Sequence, residues 1–274
     1  MAIAGWPWRW DERTRVMGIV NADPDSFAGD AVTTAEQAQW MATEMVAAGA
    51  EIIDVGGEST RPGADPVSPD EQVRRVVPLI GAIRAVLDTP ISIDTSSAVV
   101  AGAALDAGAD IVNDVRGLRT DADLAPLCAA RQVPLVVVHN QRGRAGSGDV
   151  MADVRAGLEE SLAIAAAAGV ADDRIVVDPG FGFGWTPDEN LELLRRLPEL
   201  AALGHPVLVG VSRKSTIGTV LGDRPVGGRL HGSVAAAVMA VVGGAALVRV
   251  HDVAPTVDAV GLVDAVLRAG RGPS

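Results

Sequence analysis

The chain has 274 residues, of which 48% are hydrophobic, and it contains only three Phe and no Tyr, so its core must be largely aliphatic. A chain of this length fits one large domain. The formal net charge of −12 argues against a duplex-binding surface, because affinity for nucleic acid rests on Lys and Arg that neutralise phosphates.

A single cysteine, Cys128, permits no internal disulfide, and this predicts a reducing compartment, the cytoplasm by default. The N-terminal residues lack the pattern of a signal peptide. The longest uncharged apolar stretch, 234–248, is interrupted by Gly243 and Gly244 and is shorter than the roughly 20 residues of a membrane-spanning helix. We therefore expect no membrane attachment.

The predicted elements begin with an aromatic segment, 1–14, which we expect to cap the N-terminal face of the fold. Strand and helix then alternate. Three junctions share one pattern, in which Gly49, Gly108 or Gly244 closes a helix and a short β-branched strand follows. In chain order, the strands are predicted at 15–20, 51–55, 90–94, 110–114, 134–138, 174–178, 206–211 and 246–250, and the helices at 34–48, 69–87, 97–107, 121–131, 150–168, 188–198, 228–242 and 255–268.

Alternation of strand and helix without hairpin signals predicts a parallel sheet, and continuous apolar strands predict burial on both faces. Eight such units match the usual size of a closed (β/α)8 TIM barrel, here a single domain over 1–274. An open doubly wound sheet is disfavoured because no Gly-x-Gly-x-x-Gly follows the first strand.

Every predicted strand ends in polar residues, and in a parallel barrel these converge on the face where catalysis occurs. Each residue by itself also fits a structural role, such as a helix cap for Asp94, a turn for Asn21 or Asp178, or a satisfied core position for His139. The strand-end residues are Asn21; Asp54 and Glu58; Asp94; Asn113 and Asp114; His139 and Asn140; Asp178; Ser212, Arg213 and Lys214; Arg249 and His251.

The chemistry of these ends indicates two kinds of recognition. Arg61, Arg213, Lys214, Arg249 and His251 are basic positions in an acidic protein, which favours a phosphorylated substrate. A guanidinium inside the last strand would be costly to bury without an anion. Binding of an anionic ligand is therefore the favoured interpretation of Arg249.

The carboxylate and amide ends, Asp94, Asn113 and Asp178, are suited to an N–H-rich heterocycle. We find no Cys-rich or His-Glu-x-x-His metal pattern in the sequence. Any cation is therefore expected to be a hard one such as Mg²⁺, held by few protein oxygens and by the substrate's phosphates.

Seven motifs in this order resemble the dihydropteroate synthase family, and the resemblance runs from about residue 16 to residue 267. Chance agreement would be expected of one motif and not of the series. The motifs are MGIVNADPDSF (17–27), DVGGESTRPG (54–63), SIDT (92–95), ND (113–114), DPGFGF (178–183), SRKS (212–215) and RVHDV (249–253).

The resemblance implies a Mg²⁺-dependent homodimeric enzyme, a target of sulfonamides, that condenses a dihydropterin diphosphate with 4-aminobenzoate. It implies a dissociative mechanism in which pyrophosphate leaves before the arylamine attacks. The catalytic residues it implies are Asp94, Lys214, Arg249 and His251. The implied ligands are Asp94, Asn113, Asp178 and Lys214 for the pterin; Asn21, Arg61, Arg249 and His251 for the diphosphate, with Asn21 also on the metal; and Asp25, Ser26, Phe27, Thr60, Arg213 and Ser215 for aminobenzoate.

The chain departs from the family pattern in the first loop, where Asp23 replaces the usual Thr and residues 28–31 replace the usual tail. An added carboxylate beside a diphosphate could repel it or help to hold Mg²⁺. Two alternatives therefore stay open: a pterin-binding methyltransferase, against which the 212–215 motif and the first loop argue, and a catalytically silent paralogue.

Overall fold

The computed structural model describes Trp10 and residues 12–22, 32–59 and 65–269. Its parallel strands follow the spatial order β6-β5-β4-β3-β2-β1-β8-β7, and a bridge between Val177 and Val207 joins β6 to β7. The predicted barrel is therefore confirmed. The strands are β1 (Arg15–Asn21), β2 (Ile52–Gly56), β3 (Ile91–Asp94), β4 (Ile111–Asp114), β5 (Leu135–Val138), β6 (Ile175–Asp178), β7 (Leu208–Val209) and β8 (Leu247–Val250).

The helices of the described part surround the barrel, and several begin at side-chain caps such as Thr34, Ser68 and Thr186. Gly49, Gly108 and Gly244 have positive φ, as the predicted helix ends require. The helices are α1 (Ala35–Ala47), α2 (Pro69–Arg84), α3 (Ala98–Asp106), α4 (Leu124–Arg131), α5 (Val150–Ala167), α6 (Pro187–Arg196), α7 (Ser215–Val220), α8 (Leu230–Val242) and α9 (Val253–Arg268), with 3₁₀ turns at Asp172–Arg174, Leu197–Leu203 and Val226–Gly228.

Two predictions need correction. The strand predicted at 206–211 is only two residues long, because Pro206 has no N–H to donate to a neighbouring strand and the chain leaves the ladder after Val209. Helix α7 was not predicted, since six residues are too few to leave a helical period in the sequence. None of the helices in the described ranges is long and apolar enough to cross a membrane.

Side chains alternate in direction along each strand, so every second residue enters the barrel. The lower part of the interior is apolar and includes Met17, Ile52 and Leu247, with Trp10 packed against it. A cap formed by 1–14 stays a prediction, because most of that segment lies outside the described residues. Two residues further along four strands, the inward positions become polar, at Asp54, Asn113, Asp178 and Arg249.

Candidate active site

The centre of the polar half of the barrel is Arg249, which enters from β8 and lies between two carboxylates. Its Nε donates to Oδ2 of Asp54 at 2.6 Å, and its Nη2 donates to Oδ2 of Asp94 at 2.8 Å. Burial alone would lower the pKa of Arg249, but Asp54 and Asp94 raise it above its ordinary value. The anion expected beside this buried guanidinium is therefore supplied by the protein itself, at two positions.

Asp94 ends β3 and lies opposite Asn113 of β4 in the strand register. Burial raises the pKa of the Asp94 carboxyl to about 7, although Arg249 lowers it. The helix-cap role considered for Asp94 is not observed, because the first N–H of α3, that of Ala98, donates to Asp121 instead. The amide oxygen of Asn113 is buried and has no hydrogen-bond partner among the described residues. The Asn113 oxygen is thus left for a ligand, whereas Asp94 is paired with Arg249.

Asp178 ends β6 and is buried, and its Oδ1 accepts a 2.7 Å hydrogen bond from the N–H of Gly180. Burial raises the pKa of the Asp178 carboxyl to about 6, against the opposing effect of Lys214. The turn considered for this residue is therefore observed.

Lys214 precedes α7 and is the only lysine in the sequence, whose other basic Lys or Arg residues are all Arg. Its Nζ donates to the carbonyl oxygen of Phe181 and lies 4.5 Å from the centre of the Phe183 ring. Burial lowers the pKa of the Lys214 ammonium to about 8, although Asp178 raises it. Unlike the arginines of the site, this cation can lose its charge near neutral pH.

The remaining predicted residues of the described part lie at the ends of β1 and β8 and on either side of Lys214 in the chain. His251 follows β8, and its Nδ1 lies 3.0 Å from Oγ of Ser212. Asn21 ends β1 and is half-buried. Arg213 has φ of +57° and donates from its Nη2 to Asp252 at 2.6 Å, so its guanidinium is held by a carboxylate. Ser215, which begins α7, is exposed.

A cavity of about 380 Å³ adjoins two of these residues and is lined by Met45, Val253, Arg213 and His251 among others.

Five predicted ligands fall outside the described residues and stay predictions: Asp25, Ser26, Phe27, Thr60 and Arg61. The effect of Asp23, which lies outside them too, also stays a prediction.

His139 is a buried core histidine, as its sequence setting favoured, but only one of its ring nitrogens is satisfied, since Nδ1 has no hydrogen-bond partner among the described residues. Its Nε2 lies 3.0 Å from Oε1 of Gln141, and its ring stacks on Trp185 at 5.6 Å. Burial lowers the pKa of its imidazole to about 4, so the ring is neutral at physiological pH. We assign it no chemical step.

The sequence prediction missed the contacts that orient the site: Asp54 on Arg249, Asp252 on Arg213, and the two Phe residues beside Lys214. Asp54 was recognised as a strand end but given no role. Its inward position on β2 was the available signal, because it lies two residues beyond the inward-facing Ile52.

The loop that positions Asp178 depends on Gly180, which has φ of +75° and packs against the carbonyl oxygen of His139, where a methyl group would collide. We expect Gly180→Ala to destabilise the protein by about 3 kcal/mol or more, because both strain and collision act. Gly204 has a similar φ of +74° with open space around it. Gly204→Ala should therefore cost only about 1–2 kcal/mol. If denaturant unfolding showed the same loss in the free energy of unfolding for both variants, the role given to the His139 contact would be contradicted.

Comparison with known proteins gives consistent results over nearly the whole chain. A family profile for pterin binding enzymes matches residues 17–251. A dihydropteroate synthase of Clostridium beijerinckii is 43% identical over 98% of this chain and all of its own length.

Two solved structures are similarly close. The dihydropteroate synthase of Clostridium difficile, determined in the presence of pteroic acid, has a TM-score of 0.90 at 44% identity and covers 95% of this chain and 99% of its own. The enzyme of Xanthomonas albilineans with 4-aminobenzoic acid also has a TM-score of 0.90, at 43% identity over 99% of this chain and 98% of its own.

Proposed function

Since the chain belongs to the pterin-binding enzymes, as one of the dihydropteroate synthases, we propose which of its residues perform each part of the reaction. That reaction condenses 6-hydroxymethyl-7,8-dihydropterin diphosphate with 4-aminobenzoate and yields 7,8-dihydropteroate and pyrophosphate. The observation that carries the residue assignment is the inward cluster of Asp94, Asn113, Asp178, Lys214 and Arg249 at the carboxyl ends of five strands or the loops that follow them.

In this proposal the pterin is bound by Asp94, Asn113, Asp178 and Lys214. The unpaired oxygen of Asn113 supports this assignment, because a buried acceptor without a partner costs stability that a ligand N–H would restore. Carboxylates accept hydrogen bonds from the amino-pyrimidinone edge of a pterin. Lys214 supplies donors beside them, held in place by Phe181.

The diphosphate is bound by Arg249, His251, Asn21 and Arg61. The Nη1 of Arg249 supports this assignment. It makes no hydrogen bond to any described residue, whereas Nε donates to Asp54 and Nη2 donates to Asp94. Ser212 orients His251 through its Nδ1. Arg61 belongs to this set by family resemblance, since it lies outside the described residues.

For Mg²⁺, the proposed protein ligand is the side-chain oxygen of Asn21. A half-buried amide oxygen at a strand end is a hard donor, which fits a cation that binds few protein oxygens and completes its shell with phosphates and water. When bound there, Mg²⁺ would neutralise charge on the departing diphosphate. Aminobenzoate is assigned to Arg213 and Ser215 together with Asp25, Ser26, Phe27 and Thr60. We propose the same subsite for sulfonamides.

The chain's own residues account for the chemistry without a protein nucleophile. As the C–O bond to pyrophosphate breaks, positive charge develops on the pterin. Asp94, in a site shielded from water, offsets that charge, while Arg249 and His251 stabilise the leaving group. The arylamine nitrogen then forms a bond to the carbon that pyrophosphate has left, and it releases one proton to pyrophosphate or water. Its nitrogen is neutral near pH 7, so positioning is required and a strong base is not.

These assignments predict a narrow, bell-shaped dependence of kcat/KM on pH. Activity should rise through about pH 6–7 as Asp178 and Asp94 lose their protons, and fall above about pH 8 as Lys214 loses its charge. Initial rates between pH 5 and 10 measure both limbs. In Lys214→Arg the alkaline limb should disappear, since Arg stays protonated. A retained alkaline limb in that variant would remove Lys214 as its source.

The direct test of the function supplies the dihydropterin diphosphate, 4-aminobenzoate and Mg²⁺ and measures dihydropteroate and pyrophosphate. Formation of both in equal amounts is expected. Intact pterin binding without either product would leave a silent paralogue. Transfer of a methyl group to a corrinoid protein, without condensation, would favour the methyltransferase alternative.

The proposal includes a homodimer in the cytoplasm. Apolar side chains exposed on the neighbouring helices α8 and α9, at Met239, Val242, Leu262 and Val266, support a second copy as the covering partner. The single cysteine is free and buried, which suits a reducing compartment.

A further inference from the structure

Asp54 is the most enclosed charged side chain in contact with the proposed site, and the assignments above give it no part in catalysis. Its side chain is completely buried, on the inward face of β2 and in register with Ser92 of β3. Nε and Nη2 of Arg249 both lie 2.6 Å from its Oδ2. Asp54 therefore binds the guanidinium at two nitrogens through one oxygen.

The other oxygen of Asp54 argues against a purely stabilising role. Oδ1 is buried and makes no hydrogen bond to a described residue. A carboxylate kept only to stabilise the fold would be expected to have both oxygens satisfied, because unsatisfied buried acceptors are costly. A buried ion pair is also a weak source of stability compared with apolar residues of the same volume. The geometry of Asp54 serves Arg249 rather than the packing of the barrel.

The two carboxylates on Arg249 differ in how easily they can leave it. Asp94 lies nearer the mouth, with its side chain 10% exposed, and reaches Arg249 by Nη2 alone at 2.8 Å. Asp54 has no exposed surface and no described partner within 3.0 Å other than Arg249. Asp54 is thus the permanent partner of the guanidinium and Asp94 the exchangeable one.

We infer that Asp54 is a positioning residue for the reaction: it holds Arg249 in place so that Asp94 can turn from the guanidinium to the charge that develops on the substrate. This inference rests on the proposed function. With Asp54 present, Arg249 keeps Nη1 directed for the diphosphate whether or not Asp94 is engaged. Without it, Asp94 would be the only carboxylate left on Arg249 and would be tied to it.

The test is a double-mutant cycle between Asp54→Asn and Arg249→Lys, read as kcat and KM for the dihydropterin diphosphate. Asp54→Asn should lower kcat by roughly 10–100-fold with a smaller change in KM, as expected for an interaction needed in the transition state. In the Arg249→Lys background the same change should cost less than about 3-fold, because Asp54 acts through the guanidinium. An equal cost in both backgrounds would overturn the inference.

Asp114 supplies the matched control. It is as completely buried as Asp54 but accepts hydrogen bonds from Ser96 and from the backbone N–H groups of Arg116 and Leu118. Asp114→Asn should lower the stability of the protein, and its effect on kcat should add to that of Arg249→Lys without coupling. Should Asp54→Asn fail to fold, Asp54→Glu keeps the charge, displaces the guanidinium and should show the same coupling. If the wild-type protein forms no product, the proposed function is overturned. If the wild-type protein is active but the effects of the two substitutions simply add, only the role of Asp54 is overturned.

Discussion

Lys214→Ala is expected to lower kcat/KM by on the order of 10²–10³-fold, the range seen when a preorganised electrostatic contact to reacting groups is lost. The side chain is held by the carbonyl of Phe181 and by the ring of Phe183, so its ammonium is already positioned before substrate binds. Gly182 makes room for it, since a Cβ at 182 would lie 2.8 Å from Cδ of Lys214. Steady-state kinetics with the dihydropterin diphosphate varied measures the loss, and undiminished turnover would remove Lys214 from the site.

Because the chain has no other lysine, the same assignment can be tested without mutation. An amine-directed acylating reagent should modify Lys214 and the N-terminal amine alone, and loss of activity should follow modification of Lys214. The pH dependence of labelling should report a midpoint near 8, which is the lowered pKa of this buried ammonium. Bound pterin substrate should protect it. Full activity after complete modification of Lys214, located by peptide mass, would contradict its role.

Asp94→Asn is expected to lower kcat/KM by on the order of 10²-fold or more and to make the ligand-free protein more stable at pH 8. The carboxylate is needed for the charge that develops on the substrate, but its burial is unfavourable while no substrate is bound. Burial raises the pKa of Asp94 from 3.8 to about 7, so the stability it contributes is complete below about pH 4 and is lost as the pH rises through 7. Asn does not titrate. The difference in Tm between variant and wild type should therefore grow from pH 4 to pH 8.

Asp149 provides a control with the opposite sign. It is an exposed carboxylate that caps α5 and pairs with Arg196, whose hydrogen bond lowers the pKa of Asp149. The stability that the Asp149 carboxylate contributes is present at neutral pH and is lost when the carboxylate is protonated in acid. Asp149→Asn should therefore lower Tm by a similar amount between pH 8 and pH 4, with a difference that shrinks only below about pH 4, and it should leave turnover unchanged. A higher Tm for both variants at pH 8 would show that the loss of any carboxylate from this acidic chain stabilises it, and burial of Asp94 would not be the cause.

The barrel and the identity of most strand-end residues could be predicted from the amino-acid sequence alone. This was possible because the evidence is local: apolar runs predict strands, glycine at Gly49, Gly108 and Gly244 marks helix ends, and a parallel arrangement brings all carboxyl ends of strands to one face. It was less successful at β7 and α7, which are too short to leave a period.

The pairing of these polar ends with one another depends on the fold and could not be predicted from the sequence. Asp54 and Arg249 are 195 residues apart, and their contact depends on the register of β2, β1 and β8 and on the alternation of side chains into the barrel. The sequence therefore predicted an anion for Arg249 but could not identify two carboxylates of the chain as that anion. The pKa values of Asp94, Asp178 and Lys214 depend on the same tertiary structure, since burial inside the closed barrel is the largest cause of each shift.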